Sequence, residues 1–191
     1  MHIIETAIPE VVIIEPRVIG DERGYFFESF NNNKFCESVV ETKFVQDNES
    51  KSRRGVLRGL HYQIPPFCQS KLARVVQGSA LDVAVDIRKG SPTFGQHVAV
   101  VLSAENKRQL FIPRGFAHAV ITLSDEAIFQ YKVDNFYSFE HERGVSFQDD
   151  ALNIDWHMPY EEIIVSEKDA GLPTIASGNA YLFDYSKDYY Q

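Results

Sequence analysis

The chain has 191 residues, of which 44% are hydrophobic and 24% charged, a composition typical of one globular domain with a proper core. A formal net charge of −8 argues against a general affinity for nucleic acid, although local Arg and Lys side chains can still bind a small anion. Cys36 and Cys68 match no zinc or redox spacing, and the N-terminus lacks the uninterrupted apolar core of a signal peptide. No apolar run approaches the roughly 18 residues that span a membrane, so we expect a cytoplasmic protein that binds neither membranes nor nucleic acid.

Short apolar or alternating runs recur along the chain and are separated by turn signals. In chain order, the predicted strands cover residues 11–15, 24–30, 43–47, 56–63, 71–77, 80–87, 97–102, 109–112, 117–123, 127–133 and 144–148. A helix is predicted over 32–40, and a second helical turn is expected to begin at Ser166, a capping residue followed by acids. Many short strands with few helices favour a β-sandwich or barrel. We expect a single domain over 1–191, with the aromatic tail 176–191 packed on the domain or on a partner subunit.

Two acids, Asp82 and Asp86, share one face of the predicted strand 80–87, and apolar residues occupy the other face. This pattern fits a barrel with a polar interior. For an isolated strand, however, exposure of both acids to solvent, or pairing with Arg74 or Arg88, is the simpler interpretation.

Two histidines follow patterns that occur at functional sites. Pro113, Gly115 and His118 form a P-x-G-x-x-H pattern that resembles the second motif of the cupin superfamily. Metal-binding cupins also carry H-x-H and a Glu in their first motif, and these side chains provide the metal ligands. The corresponding stretch here has only His61, followed by Tyr and Gln, so we expect no metal site. His61 is then a catalytic base or a structural residue.

Four longer blocks occur in order along the chain: FVQDNESKSRRGVLRGLHYQ, SKLARVVQGSALDVAVDIRKGSPTFG, LSAENKRQLFIPRGFAHAV and DALNIDW. Together they resemble the dTDP-4-dehydrorhamnose 3,5-epimerase family, over nearly the whole chain, and ordered blocks are a stronger signal than one motif. The resemblance implies a mainly β cupin jelly roll with a few short helices, which works as a homodimer without metal or other cofactor. The implied reaction inverts C3 and C5 of dTDP-4-dehydro-6-deoxy-D-glucose to give dTDP-4-dehydro-L-rhamnose, in dTDP-L-rhamnose biosynthesis.

The resemblance also implies catalytic roles for four residues. The family's base falls on His61, and its carboxylate partner falls on Asp169, where it would favour the imidazolium formed after proton abstraction. The family's enolate-stabilising lysine falls on Lys71, and its acid falls on Tyr131, whose phenol stays protonated at neutral pH. Without the resemblance, Asp169 is interpreted as an exposed acid in a helical first turn, and Lys71 and Tyr131 as structural residues on apolar strand faces.

Further residues are implied in substrate binding. They are Arg23, Phe26, Glu28, Gln46, Asn48, Arg58, His118, Tyr137, Glu142 and Lys168. The guanidinium groups of Arg23 and Arg58 suit a diphosphate. Phe26 and Tyr137 are the candidates for stacking on thymine, and participation of Tyr137 in protonation stays open.

The stretch Arg58 to His61 presents a geometric difficulty. Strict alternation directs these two side chains to opposite faces of one strand. If both line one pocket, the strand must bulge, and Gly59 is the predicted place, unless Arg58 reaches round from the edge.

Two other functions stay open on the sequence. An epimerase acting on C5 alone would use the same His61, Lys71 and Tyr131. A sugar-nucleotide-binding cupin without catalysis would need no acid and base together. A metal-dependent cupin oxygenase or isomerase fits least, because the ligands are missing.

Overall fold

The computed structural model describes residues 1–177 and 183–190 of the chain. The strands are β1 (His2–Glu5), β2 (Val12–Glu15), β3 (Ile19–Asp21), β4 (Gly24–Phe26), β5 (Gln46–Arg53), β6 (Leu57–Gln63), β7 (Lys71–Gln77), β8 (Ser79–Asp86), β9 (Arg88–Lys89), β10 (His97–Ser103), β11 (Gln109–Ile112), β12 (Phe116–Thr122), β13 (Glu126–Val133), β14 (Glu142–Gly144) and β15 (Phe183–Asp184). The α-helices are α1 (Asn32–Ser38) and α2 (Glu167–Ala170), and four 3-10 turns lie at Phe139–His141, Asp150–Leu152, Tyr160–Glu162 and Ile175–Ser177. The prediction of a mainly β protein with a few short helices is confirmed.

Two antiparallel sheets form the body of the molecule. The six-stranded sheet has the order β1-β2-β11-β7-β13-β5, and the five-stranded sheet has the order β10-β8-β12-β6-β14. A separate hairpin of β3 and β4 and a short parallel pair of β9 and β15 complete the described strands. Apolar residues of both large sheets share one buried cluster, so their inner faces pack against each other as in a sandwich.

The outer faces of both large sheets are also covered. Helix α1 places Phe35 in a cluster on the six-stranded sheet, with its N-terminus capped by Asn31. On the five-stranded sheet, the residues that follow β14 form a second cluster that contains Trp156 and Ile175. The segment after β14 crosses this outer face, and α2 therefore lies at the open end of the sandwich.

The outcome for the two strand acids is clear. Asp82 and Asp86 are both completely buried, so the interpretation as solvent-facing residues was wrong and the polar interior is confirmed. Asp86 accepts hydrogen bonds from the Arg88 side chain at 2.9 and 2.7 Å, which confirms that pairing.

Several boundaries differ from the predicted ones. The strand predicted over 43–47 begins at Gln46 and continues through the polar residues to Arg53, because β13 pairs with its whole length. The strand predicted over 144–148 lies at 142–144, and the one predicted over 24–30 ends at 26.

The aromatic tail predicted to pack over 176–191 is only partly within the described residues, since 178–182 and 191 lie outside them. In the described portion, Phe183 is 1% exposed and its ring contacts those of Tyr62 and Tyr189. The single-domain assignment stays a prediction. Among residues 1–177 and 183–190, every helix is too short or too polar to cross a bilayer.

Candidate active site

A cavity of about 600 Å³ lies between the two large sheets at the end where α2 returns. Eight of the side chains implicated by sequence line it together: Asn48, Arg58, His61, Lys71, His118, Tyr131, Lys168 and Asp169. They come from β5, β6, β7, β12, β13 and α2, so the fold collects residues from 48 to 169 around one space. A volume of this size is within the usual range for a small-molecule site.

The strand β6 bulges between Arg58 and His61, the two residues that strict alternation would direct to opposite faces. His118 of β12 pairs with His61, but Val120 pairs with Arg58, so three steps on β6 face two on β12. Gly59 lies inside this irregularity with φ of +121°. A Cβ there would lie 2.4 Å from the His118 carbonyl oxygen, so only glycine allows the two backbones to approach. The predicted bulge at Gly59 is confirmed, and it lets Arg58 and His61 line the same cavity.

His61 is paired with Asp169. The distance from His61 Nε2 to Asp169 Oδ1 is 2.7 Å, and the Gly59 N–H donates to Asp169 Oδ2 at 3.3 Å. Burial tends to raise the pKa of Asp169, but the hydrogen bond and charge of His61 and the Gly59 N–H outweigh it and lower the pKa. Ser166 caps α2 by accepting the Asp169 N–H at 3.1 Å, so the predicted helical turn is confirmed.

Lys71 is half-buried beside His118. Its Nζ lies 3.4 Å from His118 Nδ1 and 5.8 Å from the ring centroid of Tyr131. Burial lowers the pKa of Lys71 to about 8, and the charges of Asp82 and Glu142 oppose that change. The ammonium form therefore predominates at neutral pH.

The other ring nitrogen of His118 bonds Asp82, which the sequence pattern placed in a possible polar interior but did not assign to the site. His118 Nε2 contacts Asp82 Oδ1, while Asp82 Oδ2 accepts no hydrogen bond from any residue that the structure describes. Burial lowers the pKa of His118, which favours a neutral ring that donates to Asp82 and accepts from Lys71. The signal that could have found Asp82 was its place on the inner face of the strand.

Tyr131 is half-buried in the cavity wall beside Phe129. Burial raises the pKa of its phenol, although the positive charge of Arg58 opposes this. The hydroxyl is therefore protonated at neutral pH and can act as a proton donor.

Glu142 bonds two other implicated residues at the rim of the cavity. Its Oε2 accepts hydrogen bonds from the Tyr137 hydroxyl at 2.9 Å and from Lys168 Nζ at 2.6 Å. Gln46 lies next to another lining residue, since its Nε2 donates to Asn48 Oδ1 at 2.8 Å. These residues surround the cavity without all lining it.

Three implicated residues lie away from this cavity within the single chain. Arg23 is in the turn of the β3–β4 hairpin and pairs with Asp21, and its side chain is 85% exposed. Phe26 is 70% exposed, and Glu28 bonds Lys34 at 2.7 Å. All three belong to other surface depressions. Within the described ranges 1–177 and 183–190, no three His, Cys, Asp or Glu side chains are grouped to hold a metal ion.

Comparison with known proteins gives consistent matches. A family model described as dTDP-4-dehydrorhamnose 3,5-epimerase matches residues 5–177. A dTDP-4-dehydrorhamnose 3,5-epimerase of Shigella flexneri is 59% identical over 170 residues, which cover 88% of this chain and 93% of the relative.

Solved structures give the same result for the fold. The dTDP-6-deoxy-D-glucose-3,5-epimerase of Legionella pneumophila, in complex with dTDP-4-keto-L-rhamnose, has a TM-score of 0.93 at 48% identity and covers 98% of this chain and 99% of its own. The dTDP-4-dehydrorhamnose 3,5-epimerase of Bacillus anthracis, with TDP and PPi bound, has a TM-score of 0.87 at 46% identity and covers 91% of this chain and 98% of its own. The cupin-like jelly roll is thereby confirmed. The chain belongs to the dTDP-4-dehydrorhamnose 3,5-epimerase family and is an isomerase.

Proposed function

We propose that this chain inverts C3 and C5 of dTDP-4-dehydro-6-deoxy-D-glucose through an enolate at C4, giving dTDP-4-dehydro-L-rhamnose for dTDP-L-rhamnose biosynthesis. The observation that carries the mechanism is the 2.7 Å pair of His61 and Asp169, which lines one cavity together with Lys71 and Tyr131. A base, a cation and a proton donor are the three groups that inversion next to a ketone needs.

His61 is the proposed base for both carbon acids. When Nε2–H donates to Asp169, the lone pair is on Nδ1, and Nδ1 takes the proton from the carbon next to the C4 ketone. The imidazolium that forms is stabilised by the Asp169 carboxylate, which is ionised because its pKa is lowered. Asp169 thus selects the His61 tautomer before the proton transfer and stabilises the positive charge of the imidazolium after it.

Lys71 is proposed to stabilise the negative charge that develops on the C4 oxygen. Its ammonium group lines the cavity and is partly removed from water, so its charge interacts more strongly there than in water. His118 accepts one of its hydrogens and leaves two for the substrate oxygen. Asp82 orients His118 for this task, so its effect on the substrate passes through His118 and Lys71.

Tyr131 is proposed to return a proton to the opposite face of the enolate. The phenol supplies the proton and the C–H bond forms with inverted configuration. Solvent then reprotonates the phenolate, and the His61 imidazolium releases the abstracted proton to solvent before the second inversion. Each inverted carbon therefore carries a hydrogen that originates from solvent and no longer from the substrate.

The nucleotide part of the substrate needs cationic and polar contacts. We assign the diphosphate to Arg58, with Lys168 at the rim, since guanidinium pairs bidentately with phosphate oxygens. Polar contacts are assigned to Gln46, Asn48, His118 and Glu142. Tyr137 is assigned to the thymine side of the rim.

The homodimer is part of the proposal. Arg23 and Phe26 lie outside the cavity of their own chain, on a hairpin whose apolar side chains are largely exposed, and Glu28 follows that hairpin. A second copy that docks this hairpin would bury Phe26 and could bring Arg23 to a phosphate of the neighbouring site. Size-exclusion chromatography with light scattering tests this, and a monomer at micromolar concentration would contradict it.

We propose a cytoplasmic location because both cysteines carry free thiols. Cys36 and Cys68 are both free, and Cys68 is buried. Persistent free thiols are typical of a reducing compartment. Cell fractionation tests the location directly.

The reaction is tested by turnover in D2O. We expect deuterium at both C3 and C5 of the dTDP-4-dehydro-L-rhamnose product, located by NMR. Deuterium at C5 alone would indicate the narrower epimerase. Tight binding of the sugar nucleotide without incorporation would indicate a binding protein and overturn the catalytic proposal.

A further inference from the structure

Gln63 is a buried polar residue that no step of the proposed reaction uses. It lies two positions after His61 on β6, and it is only 4% exposed. Tyr62 between them belongs to the outer cluster, so Gln63 points to the same side of the sheet as His61. A buried amide is costly unless its donors and acceptor are bonded, so its partners indicate its role.

The Gln63 amide makes three hydrogen bonds, all to backbone groups. Its Nε2 donates to the carbonyl oxygens of Phe67 and Phe136 at 2.7 and 3.1 Å. Its Oε1 accepts from the Ser138 N–H at 2.6 Å. Both amide hydrogens and the amide oxygen are therefore used to hold two loops.

Two of these bonds flank a single residue, Tyr137. The Phe136 carbonyl belongs to the peptide group before Tyr137, and the Ser138 N–H belongs to the peptide group after it. In an antiparallel ladder, the carbonyl before a residue and the N–H after it make the bonds that flank a non-hydrogen-bonded pair. The Gln63 side chain therefore acts as one further rung beyond the end of β6 and fixes both peptide planes of Tyr137.

The hydroxyl of Tyr137 is fixed from the same pair of strands. Glu142 lies opposite Gln63 in the register of β14 and β6, and its Oε2 accepts the Tyr137 hydroxyl at 2.9 Å. The Tyr137 residue is 54% exposed, so packing contributes little to its orientation and these hydrogen bonds decide it. The backbone and the ring of Tyr137 are thus both anchored at the end of β6 that carries His61.

From these contacts we propose that Gln63 is a positioning residue for nucleotide binding, which holds Tyr137 at the cavity rim in the orientation that receives the dTDP moiety. The inference rests on the proposed function, because it concerns the nucleotide of the proposed substrate. Gln63 acts through Tyr137 and touches no reacting atom.

A double-mutant cycle with dTDP as the probe tests this role by calorimetry. Gln63→Leu removes all three bonds and should weaken dTDP binding about tenfold. Tyr137→Ala should have a similar effect. Adding Gln63→Leu to Tyr137→Ala should change the affinity by less than about twofold, because no ring is left to position. Additive losses, or unchanged affinity in Gln63→Leu, would overturn the proposal.

Two further variants separate positioning from folding. Gln63→Glu keeps the size and the acceptor for Ser138, but its carboxylate faces the Phe67 and Phe136 carbonyl oxygens, so we expect a lower melting temperature. Calorimetry well below that temperature, where circular dichroism shows the variant folded, should still find a loss of dTDP affinity. Gln69→Leu is the matched control, because it removes one bond to the same loop, from Gln69 Nε2 to the Asn135 carbonyl at 2.7 Å, and leaves Tyr137 bonded. A loss of affinity in Gln69→Leu equal to that of Gln63→Glu would contradict the specific role.

Turnover supplies a readout that a general structural role would not give. In Gln63→Glu we expect KM for the dTDP-sugar to rise about tenfold while kcat stays within about threefold. A parallel loss of kcat would contradict positioning of the nucleotide. If the wild-type chain binds dTDP but does not epimerise the dTDP-sugar, the proposed reaction is overturned, and the double-mutant cycle still tests the role of Gln63. A wild-type chain that binds no dTDP overturns both.

Discussion

His61 and Asp169 are 108 residues apart in the sequence and are joined by a hydrogen bond of 2.7 Å. The contact depends on the segment after β14, which covers the outer face of the five-stranded sheet before α2 meets β6. The Gly59 N–H fixes the second carboxylate oxygen, so the same bulge that turns Arg58 inward also orients the partner of His61. The proposed base is therefore oriented by a carboxylate of α2 that is itself fixed by the backbone of β6.

Asp169→Asn is expected to lower kcat by about 10²–10⁴, because the amide no longer stabilises the imidazolium or selects the tautomer. KM should change little, since the side chain bonds His61 and is not assigned to the substrate. Steady-state kinetics at saturating dTDP-sugar measure the effect. Glu167→Gln, which alters an exposed acid on the same helix, is the control and should keep the wild-type kcat. Equal losses in the two variants would remove the specific role of Asp169.

Tyr131→Phe is expected to lower inversion by about 10²–10⁴ while dTDP affinity is retained, because the phenol supplies only the returning proton. Proton abstraction by His61 continues, so deuterium should enter the substrate with retained configuration faster than product forms. Mass spectrometry of recovered substrate measures this. Tyr160→Phe, at an exposed tyrosine that packs on Phe147, should behave as wild type. Normal inversion by Tyr131→Phe would assign the acid to another residue.

The rate is expected to depend on the ionisation of Lys71. Burial lowers its pKa to about 8, and only the ammonium form stabilises the enolate. The value of kcat/KM should therefore fall about tenfold per pH unit above that pKa and show no loss from this group below it. In Lys71→Arg the rate should be lower, but the fall near pH 8 should disappear, because guanidinium stays charged throughout this pH range. Persistence of the same fall would assign it to another group.

Gly59→Ala is expected to lower the free energy of unfolding by about 3 kcal/mol or more, because both a positive φ and a backbone clash oppose the methyl group. Its Cβ would lie 2.7 Å from the Ala119 Cα. Gly90→Ala is the control, since Gly90 also has positive φ, of +86°, but open space around its Cβ position. Gly90→Ala should lose only the conformational cost of about 1–2 kcal/mol. Urea unfolding measures both, and equal losses would argue against the clash at the bulge.

Asp86→Asn is expected to destabilise the protein by about 3–5 kcal/mol at neutral pH, because it leaves the Arg88 charge without its buried partner. Burial tends to raise the pKa of Asp86, but the hydrogen bonds from Arg88, Ser91 and Thr93 outweigh it and lower the pKa.

A lowered folded-state pKa contributes stability that is present above the unfolded pKa of about 4 and is lost as pH falls through the folded value. The difference between wild type and Asp86→Asn should therefore shrink below about pH 4. Asp47→Asn, which breaks the exposed pair with Lys132 at 2.8 Å, is the control and should remain near wild type. A difference that is constant from pH 7 to pH 3 would contradict the linkage.

The sequence predicted strands with dense apolar residues, such as β8 and β11, because both faces of these strands are buried and only apolar or paired residues fit there. It failed at β5, whose polar residues 46–53 form a strand through pairing with β13 at the sheet edge. Local propensity does not contain that pairing, which depends on residues about 80 positions away.

The candidate site was predictable where a single strand carries the signal. Gly59 followed from the opposed directions of Arg58 and His61. Asp82 had an ambiguous signal, since alternation gave its face but not which face is inner. Gln63 gave no signal of its role, because the two partners that flank Tyr137 are backbone groups of a loop over 70 residues away.

The most direct test of the account is the exchange of the sugar C3 and C5 hydrogens in D2O by His61→Gln, compared with the wild-type chain when both are saturated with the dTDP-sugar substrate. The account predicts that wild type incorporates deuterium at both carbons, and that His61→Gln incorporates it at neither while binding dTDP with an affinity within about threefold of wild type. Near-normal incorporation by His61→Gln at either carbon would contradict the assignment of His61 as the base.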